Sequence, residues 1–296
     1  KTPLSKRFIE DFRKDLYFAK QEDLGFSEVK NISVNYNNII YKELKNRKDI
    51  IQLFLENAIK PNESVTINIT YIVKIPNAKY TGYGFYKNGY RLRYWYITPA
   101  IYNQGWQLMS NLNLDDLFED YTTFNIDLKI PKQLHLTGSL KQIKKSDKTQ
   151  NSFHLYGKNE KDVLVDIQKI NTFKKFTTDT HEIQTNILEK EVSNSLTENL
   201  LNRELQFLRK YLGDLPINKI LIDEVMRSKN PVYGLNQLPS FIRPFSDVFN
   251  HDLNLFKALS KKYLKQTLLL NERKDYWLID GLQNYLMIEY VNKFYP

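Results

Sequence analysis

Phe124-Asn125-Ile126-Asp127-Leu128-Lys129-Ile130-Pro131 (FNIDLKIP) alternates apolar and polar side chains and stops at a proline. A period of two belongs to a strand with one face on a core and the other in water. Upstream the same alternation runs through Val65, Ile67, Ile69, Tyr71 and Val73, and downstream through Val163, Val165 and Ile167. Turn signals at Pro61-Asn62-Glu63, Lys87-Asn88-Gly89, Pro131 and Gly157-Lys158-Asn159 separate these runs. Many short strands spaced in this way predict an antiparallel β-sandwich over residues 31–184.

Outside that region the pattern changes. Residues 1–30 form an N-terminal segment in which 5–20 reads as amphipathic, with Phe8, Phe12 and Leu16 on one side. After 184 the spacing of Leu201, Leu205, Leu208 and Leu212 is helical, and Gly213 is placed to end the helix in a left-handed cap. Ile217 to Val225 reads as a strand, and 252–270 and 275–293 as two helices, the second turning Leu278, Leu282, Tyr285, Leu286 and Ile288 to a core. Residues 185–296 are therefore expected to form a mainly helical α+β domain that continues past Pro296.

Composition narrows the function. The chain has 296 residues, 42% apolar and 14% aromatic, enough for a real core and too apolar for the disordered class. No apolar run approaches the ~20 residues of a membrane-crossing helix. There is no cysteine, which removes disulfides, thiolate zinc sites and cysteine nucleophiles, and which suits an oxidising compartment. The net charge of +9 comes from 43 basic residues interleaved with 34 acidic ones, a lysine-rich solvated surface rather than a nucleic-acid footprint. The densest basic stretch, Lys141 to Lys148, reads as a polar loop. Asn31-Ile32-Ser33, Asn62-Glu63-Ser64 and Asn68-Ile69-Thr70 match the glycosylation sequon, a pattern with many chance hits.

The order of motifs resembles the gluzincin aminopeptidases of the aminopeptidase N type. Thr81-Gly82-Tyr83-Gly84-Phe85-Tyr86, Trp95-Tyr96-Ile97-Thr98-Pro99-Ala100 and FNIDLKIP leading into Leu136-Thr137-Gly138-Ser139-Leu140 are similar to the family's saddle-shaped N-terminal sandwich. The strand Ile220 to Val225, the loop Tyr233-Gly234-Leu235-Asn236-Gln237-Leu238-Pro239 and Tyr276-Trp277-Leu278-Ile279-Asp280-Gly281-Leu282 follow in the family's order. The resemblance implies that 185–296 is part of a thermolysin-like domain.

In active members two histidines of an HExxH helix and a glutamate in a W-L-x-E-G setting hold zinc. Residues four apart share a helix face, so both imidazoles reach one ion, and the intervening Glu acts as base on its water. Here W-L-x-E-G resembles Trp277-Leu278-Ile279-Asp280-Gly281. The family's spacing, 18 residues (262–279), then puts the histidine positions at Lys257 and Lys261 and the base at Ala258. An ammonium has no lone pair for a metal, and a methyl group takes no proton. The family's G-x-M-E-N loop, whose Glu grips a substrate's free amine, resembles Gly234-Leu235-Asn236-Gln237-Leu238, where the acid is the neutral amide Gln237. Metal, base and amine grip fail together, so no zinc or other cofactor is expected. Elsewhere His135, His154 and His181 have no partner at ligand spacing, His251-Asp252 reads as surface hydrogen bonding in a loop, and Gly82-Tyr83-Gly84 reads as a turn.

Lys257 and Lys261 could set two positive charges where relatives hold a divalent cation, with Asp280 pairing to one of them and pinning the two helices. The expected function is a non-catalytic scaffold or interaction subunit of a bacterial cell-envelope assembly, periplasmic or associated with the outer membrane. Protein partners are expected and nucleic acid is not; membrane association would come through regions outside this chain, such as a downstream barrel anchor. Trp95, Trp106, Phe241 and Phe245 are candidate binding aromatics in the old cleft, with core packing as the plainer role. Two rivals are a surviving zinc aminopeptidase with a displaced site and a module that grips peptides without cutting.

Overall fold

FNIDLKIP lies inside a ten-residue antiparallel strand, Thr122–Pro131, with Phe124, Ile126 and Leu128 packed against a core and Ile130 buried in it. The computed structural model describes residues 3–109, 117–235, 239, 242 and 244–296. These divide into two units, 19–77 and 1–18 with 78–296.

The unit 19–77 opens with a 3-10 turn (Gln21–Asp23) and continues as strands: β1 (Phe26–Val34), β2 (Asn37–Asn38), β3 (Tyr41–Leu44), β4 (Arg47–Leu53) and β5 (Ile67–Lys74). β1 pairs antiparallel with β5 along its whole length, with a bulge at Val29/Asn31, and β3 with β4 forms a hairpin. Ile32 is the buried residue of β1.

The other unit opens with α1 (Pro3–Glu10). The amphipathic reading of 5–20 holds only for this helix. Phe8 is buried, but the chain leaves the helix with Phe12 at φ +59°, and its ring is 95% exposed. The amide of Arg13 closes the turn on the Phe8 carbonyl, and the Arg13 guanidinium covers the Phe8 ring at 4.2 Å.

Strands follow as β6 (Gly84–Tyr86), β7 (Gly89–Leu92), β8 (Ile101–Tyr102), β9 (Trp106–Gln107), β10 (Thr122–Pro131), β11 (His135–Gly138), β12 (Lys141–Ser146), β13 (Gln150–Glu160), β14 (Val165–Gln168), β15 (Lys174–Thr177) and β16 (Glu182–Thr185). They form antiparallel sheets of order β10-β13-β12 and β11-β14-β7-β6. Phe153, Leu155, Val163, Val165 and Ile167 fill their shared core with Leu136 and Leu140.

Two readings change here. Lys141 to Lys148 is not a loop, because Lys141–Ser146 pairs with β13 as the edge strand β12. Gly157 is not in a turn either. It faces Phe124 beside a bulge in β13, where a Cβ would stand 2.7 Å from Leu140 Cδ2. The turn residues mark a kinked strand.

The helical part is α2 (Asn194–Leu212), β17 (Lys219–Ile222), α3 (Glu224–Lys229), α4 (Asp247–Thr267) and α5 (Glu272–Phe294). β17 runs parallel to β16 after the α2 crossover and so joins the sheet β15-β16-β17. Gly213 ends α2 at φ +77° and ψ −167°, a backbone open to glycine but outside the left-handed helical well of the expected cap. The strand expected over 217–225 is four residues long, because Asp223 accepts from the Met226 amide and starts α3. On α5 the buried face is Ile279, Gln283, Leu286 and Tyr290. Tyr285 and Ile288 turn outward instead of to the core, and Trp277 is 71% exposed.

Candidate functional site

The site is set by one helix beginning earlier than its apolar pattern. Ser246 accepts from the Phe249 amide and caps α4 at Asp247, so residues 250–260 run buried through the helical core. Lys257 and Ala258 are buried, and Lys261 lies one turn on, half-buried. α5 packs across this stretch. Gln283 donates to the Lys257 carbonyl at 2.8 Å and to Ser260 Oγ at 3.0 Å, while its own oxygen accepts from Asn230 Nδ2. That clamp fixes the register that brings Asp280 over α4.

Lys261 Nζ lies 4.0 Å from Asp280 Oδ1 and donates to Tyr276 Oη at 2.9 Å. Lys257 Nζ is 5.9 Å from the centre of the Tyr233 ring. Burial lowers the Lys257 pKa; the charge of Asp280 opposes this and that of Lys261 adds to it. Of the four positions picked from the family's spacing, Lys261 and Asp280 meet across α4 and α5, Lys257 lies within electrostatic reach of both, and Ala258 sits in the buried stretch of α4 between the two lysines. Gly234 sits nearby in sequence at φ +88°, whereas Gln237 lies outside the described residues, as does Phe241. Trp106 and Phe245 are exposed and Trp95 is half-buried. The donor set does not suit zinc: two ammonium groups, a methyl and one carboxylate offer a single ligand where three are needed.

Beside Ala258 and Lys261 a cavity of about 240 Å³ opens toward the strands. Leu164, Leu221 and Met226 supply its apolar wall, and Tyr83, Arg93, Lys161, Asp162, Glu119 and Tyr276 part of its polar one. Asp162 is held by Arg93 at 2.5 Å and Lys262 at 3.7 Å. Burial alone would raise its pKa, but those two cations keep it below the ordinary carboxylate range.

A second polar cluster was not foreseen. His251 and Asp252 are not in a surface loop; the Ser246 cap puts both inside α4, and both are buried. His251 Nε2 meets Thr197 Oγ1 at 3.1 Å, and burial lowers its pKa. Asp252 accepts from Arg203 at 2.7 Å, Tyr290 at 2.9 Å and Tyr295 at 2.7 Å. Glu204 is buried next to it. Neither of its oxygens has a well-formed hydrogen bond among the described residues, and burial, then the Asp252 charge, holds its carboxyl well above the ordinary range. The signal was readable, since Glu204 interrupts the apolar stripe Leu200, Leu201, Leu205, Leu208 of α2.

No protein-family profile matches the chain, and no curated protein matches it. Among solved structures it is similar to an M1 zinc metallopeptidase from Deinococcus radiodurans, with TM-score 0.56 and 12% identity over 91% of this chain and 62% of that one. A mutant M1 zinc metallopeptidase from the same organism, bound to a Tyr-Ser-Ala substrate, gives 0.58 and 12% over 92% and 62%. A two-domain mutant bound to L-arginine gives 0.57 and 11% over 92% and 62%. The chain spans 62% of the length of these proteins. In its order of antiparallel sheets followed by helices, it has the fold of the M1 zinc metallopeptidases.

Proposed function

We propose that this chain is a non-catalytic, peptidase-like scaffold or interaction subunit that keeps the M1 fold without its zinc. In this reading residues 31–184 carry the saddle-like sandwich, 185–296 part of the thermolysin-like domain, and Gly234 and Gln237 the disused amine grip. The observation that carries it is the Lys261 ammonium, 4.0 Å from Asp280 and hydrogen-bonded to Tyr276, on the two helices whose sequence spacing matches that of the family's metal ligands. A cation attached to the chain replaces a dissociable one, and the α4–α5 contact needs no metal to balance Asp280. Ala258, a methyl side chain, offers no base for a hydrolytic step.

Elemental analysis of protein purified without chelator and then supplied with zinc tests this directly. The expected result is far less than one zinc per chain, with no release of amino acids from peptide amides. Stoichiometric zinc with chelator-sensitive turnover would establish the displaced-site aminopeptidase instead. We propose further that the chain works within a bacterial cell-envelope assembly, in the periplasm or at the outer membrane, where a cysteine-free sequence suits an oxidising compartment. Cross-linking in intact cells followed by fractionation checks the location, and recovery only with cytosolic partners would refute it.

A further inference from the structure

A second cavity, of about 200 Å³, opens where β12 and β13 meet the chain entering β17. Lys141, Tyr156, Lys158, Glu160, Asn218 and Lys219 are among the residues lining it. Lys219, the first residue of β17, is 5% exposed. Its Nζ donates to the Leu140 carbonyl at 3.0 Å and meets no carboxylate at ion-pair distance among the described residues. Glu182, its neighbour in the parallel register, is engaged by Lys175 at 2.6 Å. A carbonyl accepts from a neutral amine as well as from an ammonium, whereas burial penalises only the charged form. Burial accordingly brings the Lys219 pKa down to about 8, with the Glu182 charge opposing and that of Lys175 adding. Glu160 is the complementary group. It is 4% exposed, and its stem folds under Gly157, where a Cβ would stand 2.8 Å from Glu160 Cγ. Its Oε2 has no hydrogen-bond partner among the described residues. Burial pushes this carboxyl up to about 7 against the charge of Lys262. One cavity thus holds an amine that burial strips of its proton and an acid that burial lets keep one.

We propose that this cavity captures a small aldehyde covalently, as an imine on Lys219 Nζ, with Glu160 as the proton donor. The nitrogen lone pair adds to the carbonyl carbon, forming the C–N bond, and the carbonyl π pair becomes an oxygen anion that takes up the proton nitrogen gives up. Glu160 then protonates the departing hydroxyl, the nitrogen lone pair closes the C=N bond, and water leaves. The proton on the iminium nitrogen returns to the Glu160 carboxylate. Amine and aldehyde enter, imine and water result, and no oxidant or reductant is needed. A neutral imine suits a site that penalises positive charge. The volume of about 200 Å³ restricts the ligand to a small carbonyl compound. The site uses neither the zinc positions nor the α4–α5 contact, so its failure and that of the scaffold reading are distinguishable.

Reductive trapping of the whole chain tests it. The protein is treated at pH 7 with sodium cyanoborohydride and propanal or, in parallel, glyoxylate, and the labelled lysines are mapped by mass spectrometry after proteolysis. Lys219 is expected to be labelled at least about tenfold faster than the exposed Lys148 by one or both aldehydes, and to lose that lead in urea. Faster labelling by propanal marks an uncharged aldehyde as the ligand; faster labelling by glyoxylate marks one with a carboxylate, drawn by the exposed Lys141 and Lys158. Glu160→Gln should slow labelling of Lys219 about tenfold or more and leave that of Lys148 unchanged. The comparison within the wild-type chain needs no substitution at Lys219, so the test holds even if Lys219→Met fails to fold. Labelling of Lys219 no faster than of Lys148, a lead that survives unfolding, or an unchanged rate in Glu160→Gln overturns the proposal.

Discussion

Replacing Glu204 by Gln should make the protein more stable, and increasingly so as pH rises. Glu204 is fully buried with no well-formed hydrogen bond among the described residues, beside Asp252, which stays satisfied by Arg203, Tyr290 and Tyr295. Its folded carboxyl therefore holds a proton that the unfolded chain releases above about pH 4.5. With more protons bound in the folded state, unfolding releases protons and stability falls as pH rises. Each pH unit over which the folded carboxyl keeps its proton while the unfolded chain has lost it costs about 1.4 kcal/mol. An amide of the same shape cannot ionise and removes that slope. Near pH 5 wild type and variant should differ little, since both then place an uncharged group in the same space. Urea unfolding at pH 5, 6, 7 and 8 reads the difference directly, as a widening gap in favour of Glu204→Gln. A gap that stays constant, or one that turns against the variant as pH rises, would refute the argument.

Glu160 gives a contrasting profile. Burial pushes its carboxyl up to about 7 despite the opposing charge of Lys262. Glu160→Gln should therefore gain about 3 kcal/mol relative to wild type between pH 4.5 and 7 and nothing further above, measured by the same unfolding series. Phe207 packs edge-on to Phe256 and Tyr290 in the helical core, and Phe207→Ala should cost about 3–5 kcal/mol by urea denaturation. Gly157→Ala drives a methyl into Leu140 and the Glu160 stem and should cost about 1–3 kcal/mol, seen as a lowered Tm. Ser246→Ala removes the α4 cap for about 1 kcal/mol, with circular dichroism showing the same helix content in the folded state.

How much was legible depended on whether local rules agreed with the tertiary contacts. Strand alternation in FNIDLKIP and helical spacing in α2 survived because the packed face is the apolar face. The rules failed where a side chain acted on the backbone or a distant strand did. Phe12 scored as apolar, yet the helix ends before it. His251 and Asp252 looked like loop residues because the Ser246 cap starts α4 upstream of the apolar pattern. Lys141 to Ser146 looked too polar for a strand, but an edge position asks only for backbone pairing. The approach of Lys261 to Asp280 was expected from the resemblance, whose motif spacing assigns both positions to facing helices. The Glu204–Asp252 cluster was legible only in part: Glu204 breaks the apolar stripe of α2, but its neighbours come from α4 and α5 and meet it only after folding.

The outer rim of β12 has its own consequence for how this protein behaves in concentrated solution. Lys141, Lys144 and Lys145 stand exposed on this edge strand, whose outer row of amides and carbonyls has no strand partner among the described residues, with the greasy Ile143 exposed among them. A second molecule approaching in register would press like charges together, so growth of ribbons from this rim is opposed by repulsion that weakens as salt rises. Swapping those three lysines for valine or threonine would leave the monomer's interior untouched and turn the same rim into a seed for fibrils.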